Sequence, residues 1–169
     1  MRWTAGPPIV PGPYNNNVQL LQTRDYVVIL NEMIHDARIV PMEGRPHGNI
    51  RQWMGDSRGH WEGDTLVVDT INFTNKTNFR GSSENLHLVE RFTRVDGDTI
   101  DYRHTADDPM TWARPWTAAL PLKKTNGPIY EYGCHEGNYR TMVGTLKGER
   151  AQETVAGARN SESLFQAQR

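Results

Sequence analysis

Residues 53–73 read WMGDSRGHWEGDTLVVDTINF and residues 86–105 read LHLVERFTRVDGDTIDYRHT, and these two stretches decide the fold. They contain three runs rich in Val, Ile, Leu, Thr, Tyr and Phe: Thr65–Phe73, Leu86–Val95 and Thr99–Thr105. Such runs have the length and composition of strands. Turn residues bound them. Glu62-Gly63-Asp64 precedes the first, and Asp96-Gly97-Asp98 joins the last two. Asp-Gly between alternating apolar runs is a strong short-range hairpin signal. The pattern predicts a mainly β chain, a single-domain antiparallel β-barrel or strongly curled sheet with one short C-terminal helix.

Towards the N-terminus, Val18–Thr23 and Tyr26–Glu32 predict a hairpin around Arg24-Asp25, and Met33–Val40 (MIHDARIV) a further strand ending at Pro41. Residues 1–13 read as an extended Pro/Gly-rich arm, with four of the ten prolines in Arg2–Pro13. Tyr14 and three consecutive Asn follow; Asn favours turns, and its amide also binds polar groups. Glu43–Gly48 is a loop and Ile50–Met54 a short segment. The connection Thr74–Asn85 (TNKTNFRGSSEN) is polar and longer than a hairpin loop, which makes it a candidate lid.

Towards the C-terminus, Trp112–Leu122 reads as a strand broken by Pro115, which confines it to an edge or bulge. Ile129–Cys134 reads as the final strand. Tyr139, Met142, Val143 and Leu146 then fall at i, i+3, i+4 and i+7, predicting a helix over 138–150 capped by Asn138. Beyond Gln152 the chain is polar and is expected to fray.

A chain of 169 residues fits one domain. Mean hydropathy is low at −0.71, partly offset by five Trp and six Tyr. A net charge of −1, from 19 basic and 20 acidic side chains without a basic stripe, argues against a general nucleic-acid binder. The single Cys134 excludes an internal disulfide and a Cys-based zinc framework. No apolar run is long enough for a membrane span, so no membrane insertion is expected. Met1 is followed by RWTAGPP rather than an apolar signal segment, as expected of an N-terminally trimmed chain.

Alternation sorts side chains by face. Glu90 falls with Leu88 and Phe92, His87 with Val89 and Arg91, Arg38 with Asp36 and Val40, and Glu131 with Ile129 and His135. Ionisable and apolar residues on one face are costly in a packed core unless the charges pair. They are ordinary around a wet, ligand-sized barrel interior.

Three clusters carry possible chemistry. His35 with Asp36 and Arg38 forms an imidazole–carboxylate group suited to general acid–base work, or an ordinary edge-strand set of surface pairs. His87 with Glu90 and Arg91, beside Tyr102 and His104, forms either an anion-holding wall or a cross-strand salt-bridge ladder. Cys134-His135-Glu136 sits at a strand-to-helix junction, where sites tend to be built. Strand neighbours point to opposite faces, so Cys134 reads as a core thiol rather than a nucleophile paired with His135. No cofactor is specifically indicated. A His-bound metal ion requires the scattered His35, His47, His60, His87, His104 and His135 to converge. Trp112 and Trp116 supply aromatic walls or core filler.

The segments YNNNVQL (14–20), EMIHDARIVP (32–41), GRPH (44–47), RQWMGDSRGHWEGDTLVVDT (51–70), FRGSSENLHLVERFTRVD (79–96), DDPMTWARPWT (107–117) and YEYGCHEGNY (130–139) resemble an uncharacterised family of soil-bacterial proteins, often with export signals. The resemblance runs to about Arg150. It implies a periplasmic or secreted origin and a longer N-terminus, and brings no reaction with it. A β-rich barrel of this size is also similar, by analogy, to lipocalin-like folds.

The expected function is therefore an enzyme using general acid–base chemistry, of lyase, isomerase or hydrolase type, on a small organic or saccharide substrate. His35 or His135 is the expected base, oriented by Asp36, Glu131 or Glu136. Tyr14, Asn16, Arg38, His87, Arg91, Tyr102 and Trp112 are the expected substrate-binding residues. The alternatives are a non-catalytic small-ligand-binding barrel and a His-ligated metal protein; a homo-oligomer remains open.

Overall fold

Alternating apolar residues and tight turns set up two antiparallel meanders rather than one. A computed structural model describes residues 6–42, 44–76, 78–132, 140–141, 143–152 and 154. The first sheet contains β1 (Val18–Gln22), β2 (Tyr26–Asn31) and β3 (Ala37–Pro41), in that order. The second contains β4 (Asp56–Glu62), β5 (Thr65–Ile71), β6 (His87–Arg94), β7 (Thr99–Asp107) and β8 (Trp116–Lys123), also in chain order. Among the described residues the two sheets share no hydrogen-bonded strand pair, and no closed barrel forms.

The eight strands of the described residues lie in one compact unit, Met1–Tyr132; a second unit, Gly133–Arg169, is helical over residues 140–141, 143–152 and 154, beyond the expected end at 150 and into the stretch expected to fray. The helix expected over 138–150 is thus present, although Asn138, Tyr139 and Met142 lie outside the described residues. No helix among the described residues is long and apolar enough to cross a membrane.

The three runs first read as strands form β5, β6 and β7. Val95 N donates to Thr99 O at 3.0 Å, closing the Asp96-Gly97-Asp98 hairpin. Elsewhere the chain departs from expectation. MIHDARIV is not one strand, because Leu30 pairs with Ala37 and the intervening residues must reverse the chain. Met33–His35 form a 3-10 turn, with Ile34 and His35 in the left-handed region at φ 65° and 60°. Such conformations cost free energy in non-glycine residues.

Conversely, DSRGHWE forms β4 despite its polarity. It pairs with β5 along its whole length, from Asp56↔Ile71 to Glu62↔Thr65. Pro115 ends an irregular segment, and β8 starts at Trp116. Residues 129–132 are not in a strand, so the described part of the expected last strand is irregular; Gly133 and Cys134 lie outside the described residues.

The core-facing sides of the two sheets pack against each other. Val27, Ile29, Val40 and Met42 from the first meet Leu66, Val68, Phe92 and Tyr102 from the second, with Ile9 of the N-terminal arm. Gly59 permits this approach: a Cβ there would stand 2.5 Å from Met42 Sδ and 3.0 Å from Val40 Cγ1. A second cluster of Phe73, Phe79, Leu86, Leu88 and Ala106 packs beside Trp112 and Trp116. The connection expected as a lid is therefore anchored by buried Phe79. Asp108 holds its end, accepting bonds from Ser83 N at 2.5 Å and Ser83 Oγ at 3.1 Å.

The charged residues Arg38 and Glu90 on the core face are paired rather than bathed in a wet hollow. Arg38 on β3 and Glu90 on β6, 4% and 0% exposed, form a two-pronged ion pair between the sheets. Tyr102 Oη donates to Glu90 Oε1 at 2.7 Å and accepts from Ile9 N at 2.8 Å. Burial, then the adjacent Glu90 charge, push the Tyr102 pKa far up, so the hydroxyl remains a donor. Removing one partner of such a pair strands a buried charge and costs roughly 3–5 kcal/mol. Arg38→Met alone is expected to lose stability on that scale in urea denaturation, whereas Arg38→Met combined with Glu90→Leu recovers most of it. Additive losses in the double variant would refute the coupling.

Candidate functional site

The polar concentration with chemical potential lies on the opposite face of the five-stranded sheet. Because Leu88, Glu90 and Phe92 point into the core, alternation sends His87 and Arg91 outward. On β5, Leu66, Val68 and Thr70 face the core and Asp69 faces outward. Asp69 is directly opposite Val89, which makes His87 its diagonal neighbour across the ladder. The reach is short: His87 Nε2 lies 2.6 Å from Asp69 Oδ2.

A second imidazole reaches the same carboxylate. His47, in the loop after β3, places Nε2 3.0 Å from Asp69 Oδ1 and Nδ1 3.3 Å from Asp56 Oδ2. Asp56, at the start of β4, also accepts from Gly48 N at 2.7 Å and is ion-paired with Arg58 Nη1. Arg58 secures the loop, its Nε donating to Arg45 O at 3.1 Å and Pro46 O at 3.0 Å. Arg51 pins the loop's far side, Nη1 donating to Phe73 O at 3.1 Å and Glu84 O at 2.6 Å. Gly55 allows the turn into β4: its φ is +69°, and a Cβ would stand 2.6 Å from Thr70 Cγ2.

The order His87–Asp69–His47–Asp56 is an imidazole–carboxylate relay, half-buried and open to solvent at His87. With Asp69 ionised, His87 donates its Nε2 proton, since a carboxylate only accepts. The His87 side chain is 45% exposed, so the ring is within reach of solvent. The Asp69 bond raises the His87 pKa; burial opposes it, and the Asp69 and Asp107 charges reinforce it. For Asp69, burial pushes the pKa up, but the bonds and charges of His87 and His47 outweigh it and the value is lowered. A carboxylate orienting an imidazole of raised basicity is the elementary unit of general acid–base catalysis. Among the described residues no group of three or more His, Cys, Asp or Glu is arranged to hold a metal ion.

The other expected site residues are dispersed. His35 and Asp36 are exposed in the reversal between β2 and β3, and Glu131 is exposed in the segment after β8. His135 and Glu136 lie outside the described residues. Arg38 and Tyr102 belong to the buried inter-sheet network. Arg91 donates to Glu62 Oε2 at 2.7 Å on the outer face. Trp112 packs edge-on against Trp116 with ring centroids 5.4 Å apart. Asn16 is used locally, its side chain exchanging bonds with Gly12 N at 2.6 Å and Gly12 O at 2.9 Å. Tyr14 stacks on Tyr132 at 6.1 Å between ring centroids.

His87 is thus the one expected residue in the relay. The sequence pattern does not mark Asp56, Arg58 or Asp69 as site residues, and it offers His47 only as one of the scattered metal candidates. The available signal was Asp69 itself, a charge amid the apolar run LVVDTI.

A fourth histidine behaves oppositely. His104, on β7 and 2% exposed, sits among Phe79, Tyr102 and Trp116 with ring centroids 6.0, 5.7 and 5.7 Å away. Neither ring nitrogen has a hydrogen-bond partner among the described residues. Burial lowers its pKa, only partly offset by Glu90, and Arg80 lowers it further.

Fold and site together define a two-sheet antiparallel β protein with an outward-facing His–Asp relay. No family model, curated protein or solved structure matches the chain.

Two titrations check these environments. His87 is expected by NMR to titrate above the ordinary 6.5, and Asp69→Asn to bring it down towards that value. Its stabilising contribution is fully present below 6.5 and lost as pH rises through the raised folded value. For His104 the sign reverses: its contribution is present above 6.5 and lost as pH falls through the depressed folded value. His104→Phe is therefore expected to flatten the acid side of the stability–pH curve below 6.5, as read by thermal melts. An unchanged acid limb would remove His104 as its source.

Proposed function

We propose that the chain is an enzyme acting by general acid–base chemistry on a small organic or saccharide substrate, with the His87–Asp69 pair at its centre. The observation that carries this reading is one carboxylate shared by two imidazoles, at 2.6 and 3.0 Å, with the His87 side chain 45% exposed. His87 is the proton-transferring group. Asp69 orients the ring and stabilises its charged form, and His47 with Asp56 holds Asp69 in place. The neighbouring outer face supports a polyhydroxylated ligand, since Asp107 lies directly opposite His87 in the ladder and Thr105 opposite Val89.

A lipocalin-like, incompletely closed barrel is the finer fold reading that accompanies this proposal, supported by meander topology in both sheets and a shared core. A periplasmic or secreted location rests on the segment resemblance alone.

The test is a panel of chromogenic esters, lactones and glycosides with purified protein. Loss of a positioned acid–base group costs about 10²–10⁴-fold in rate. His87→Gln and Asp69→Asn are expected to lose turnover on that scale while still melting cooperatively as folded proteins, and His35→Ala to retain it. If His87 acts as base, the rate rises with pH through its raised pKa. Turnover that survives His87→Gln, or a panel without turnover, would overturn the proposal.

A further inference from the structure

The two sheets meet over their centres but not along one side. There, among the described residues, β1 and β8 each have a neighbour on one edge only, and a groove of about 580 Å³ opens between them. Its walls are the core-facing side chains of these strands and of β7: Val18 and Leu20, Leu120 and Leu122, and Ile100. All five pack against the inter-sheet core yet are only half-buried, and Ile9 of the arm forms part of the floor. Apolar side chains continuous with a core, left half-wet in a concavity of this size, have the character of a ligand site.

One end of the groove is charged. Arg94, Lys123 and Lys124 stand there with Asp96 and Asp98, leaving positive charge in excess. Two of the cations donate to neutral acceptors, and Lys123 also lies near enough to the Asp96 carboxylate to help lower its pKa. Lys123 Nζ donates to Thr99 Oγ1 at 2.7 Å, and Arg94 Nε and Nη2 donate to Asp96 O at 3.1 Å and Gly97 O at 3.3 Å. The third, Lys124, is 3.6 Å from an exposed Asp98.

We infer that this groove binds a free single-chain anionic amphiphile of the long-chain carboxylate class, its chain along the apolar walls and its carboxylate at Lys123 and Arg94. The site is separate from the His–Asp relay: Leu120 and Ile100 face the core side of the sheet, and His87 faces the other. It does not depend on the proposed catalytic reading.

The experiment uses dansylaminoundecanoate as fluorescent probe. The expected result is a saturable, blue-shifted emission that dodecanoate displaces, dodecanol displaces weakly and dodecyltrimethylammonium does not. Lys123 is exposed, so Lys123→Glu is expected to fold; replacing a charge-assisted contact by a repulsive one should weaken probe binding roughly tenfold or more. Leu120→Glu, if its melt matches wild type, should abolish binding. His87→Gln should leave binding unchanged, which separates this site from the relay. Absence of saturable binding, equal displacement by the cationic amphiphile, unchanged affinity in Lys123→Glu, or association with anionic vesicles without binding of the free probe would each overturn the inference.

Discussion

The Arg38–Glu90 pair is the constraint on which the rest of this structure depends. It joins two sheets that share no strand pairing among the described residues, and it does so from inside the core, where an uncompensated charge is costly. Arg38 covers both carboxylate oxygens and Tyr102 adds a third bond. Ile9 N then binds the Tyr102 hydroxyl, so the N-terminal arm is tied to the same network. One carboxylate thus organises pieces of β3, β6, β7 and the arm. Such a pair adds little net stability over a well-packed apolar equivalent. Its physical effect is to penalise every arrangement in which the two partners fail to meet.

That penalty reaches the other side of the sheet. With Glu90 held inward, strand alternation commits His87 to the outer face, and the β5–β6 register commits Asp69 to a diagonal contact with it. A one-residue slip would expose Glu90 and bury His87. The two faces then treat histidine differently. On the outer face an ionised carboxylate accepts the His87 proton and raises its basicity. On the inner face His104 lies directly opposite Glu90, but Arg38 and Tyr102 already occupy that carboxylate, so burial lowers its basicity instead. Environment, not residue type, separates a group suited to proton transfer near neutral pH from one kept uncharged.

The two-sheet arrangement also explains where apolar surface is left. Closing the ladder between β1 and β8 would remove two sheet edges. The described strands leave them apart, and the half-buried Val18, Leu20, Leu120 and Leu122 line the resulting groove rather than a sealed core. Pro121 on β8 lacks a backbone donor, which suits a strand at a sheet edge.

Several elements are legible in the sequence. Leu66 and Val68, Leu88 and Phe92, and the Asp96-Gly97-Asp98 turn announce β5 to β7 through spacings of two and a tight reversal. The polar strand β4 was not legible. DSRGHWE has no β-branched residue, and it is a strand because β5 supplies a continuous partner and Gly59 admits Met42. MIHDARIV had strand composition, yet the reversal onto β2 consumed its first half. His35-Asp36 drew attention as sequence neighbours but sits on an exposed turn, whereas His47, Asp69 and His87 are separated by 22 and 18 positions and meet. By itself the sequence determined the mainly β class, the turns and which residues share a face, because each depends on groups a few positions apart. Which face is inside, which charges pair and which histidines share a carboxylate were decided only by the tertiary structure, because they depend on strand order and register; Arg38 and Glu90, 52 residues apart, have no local signal that links them.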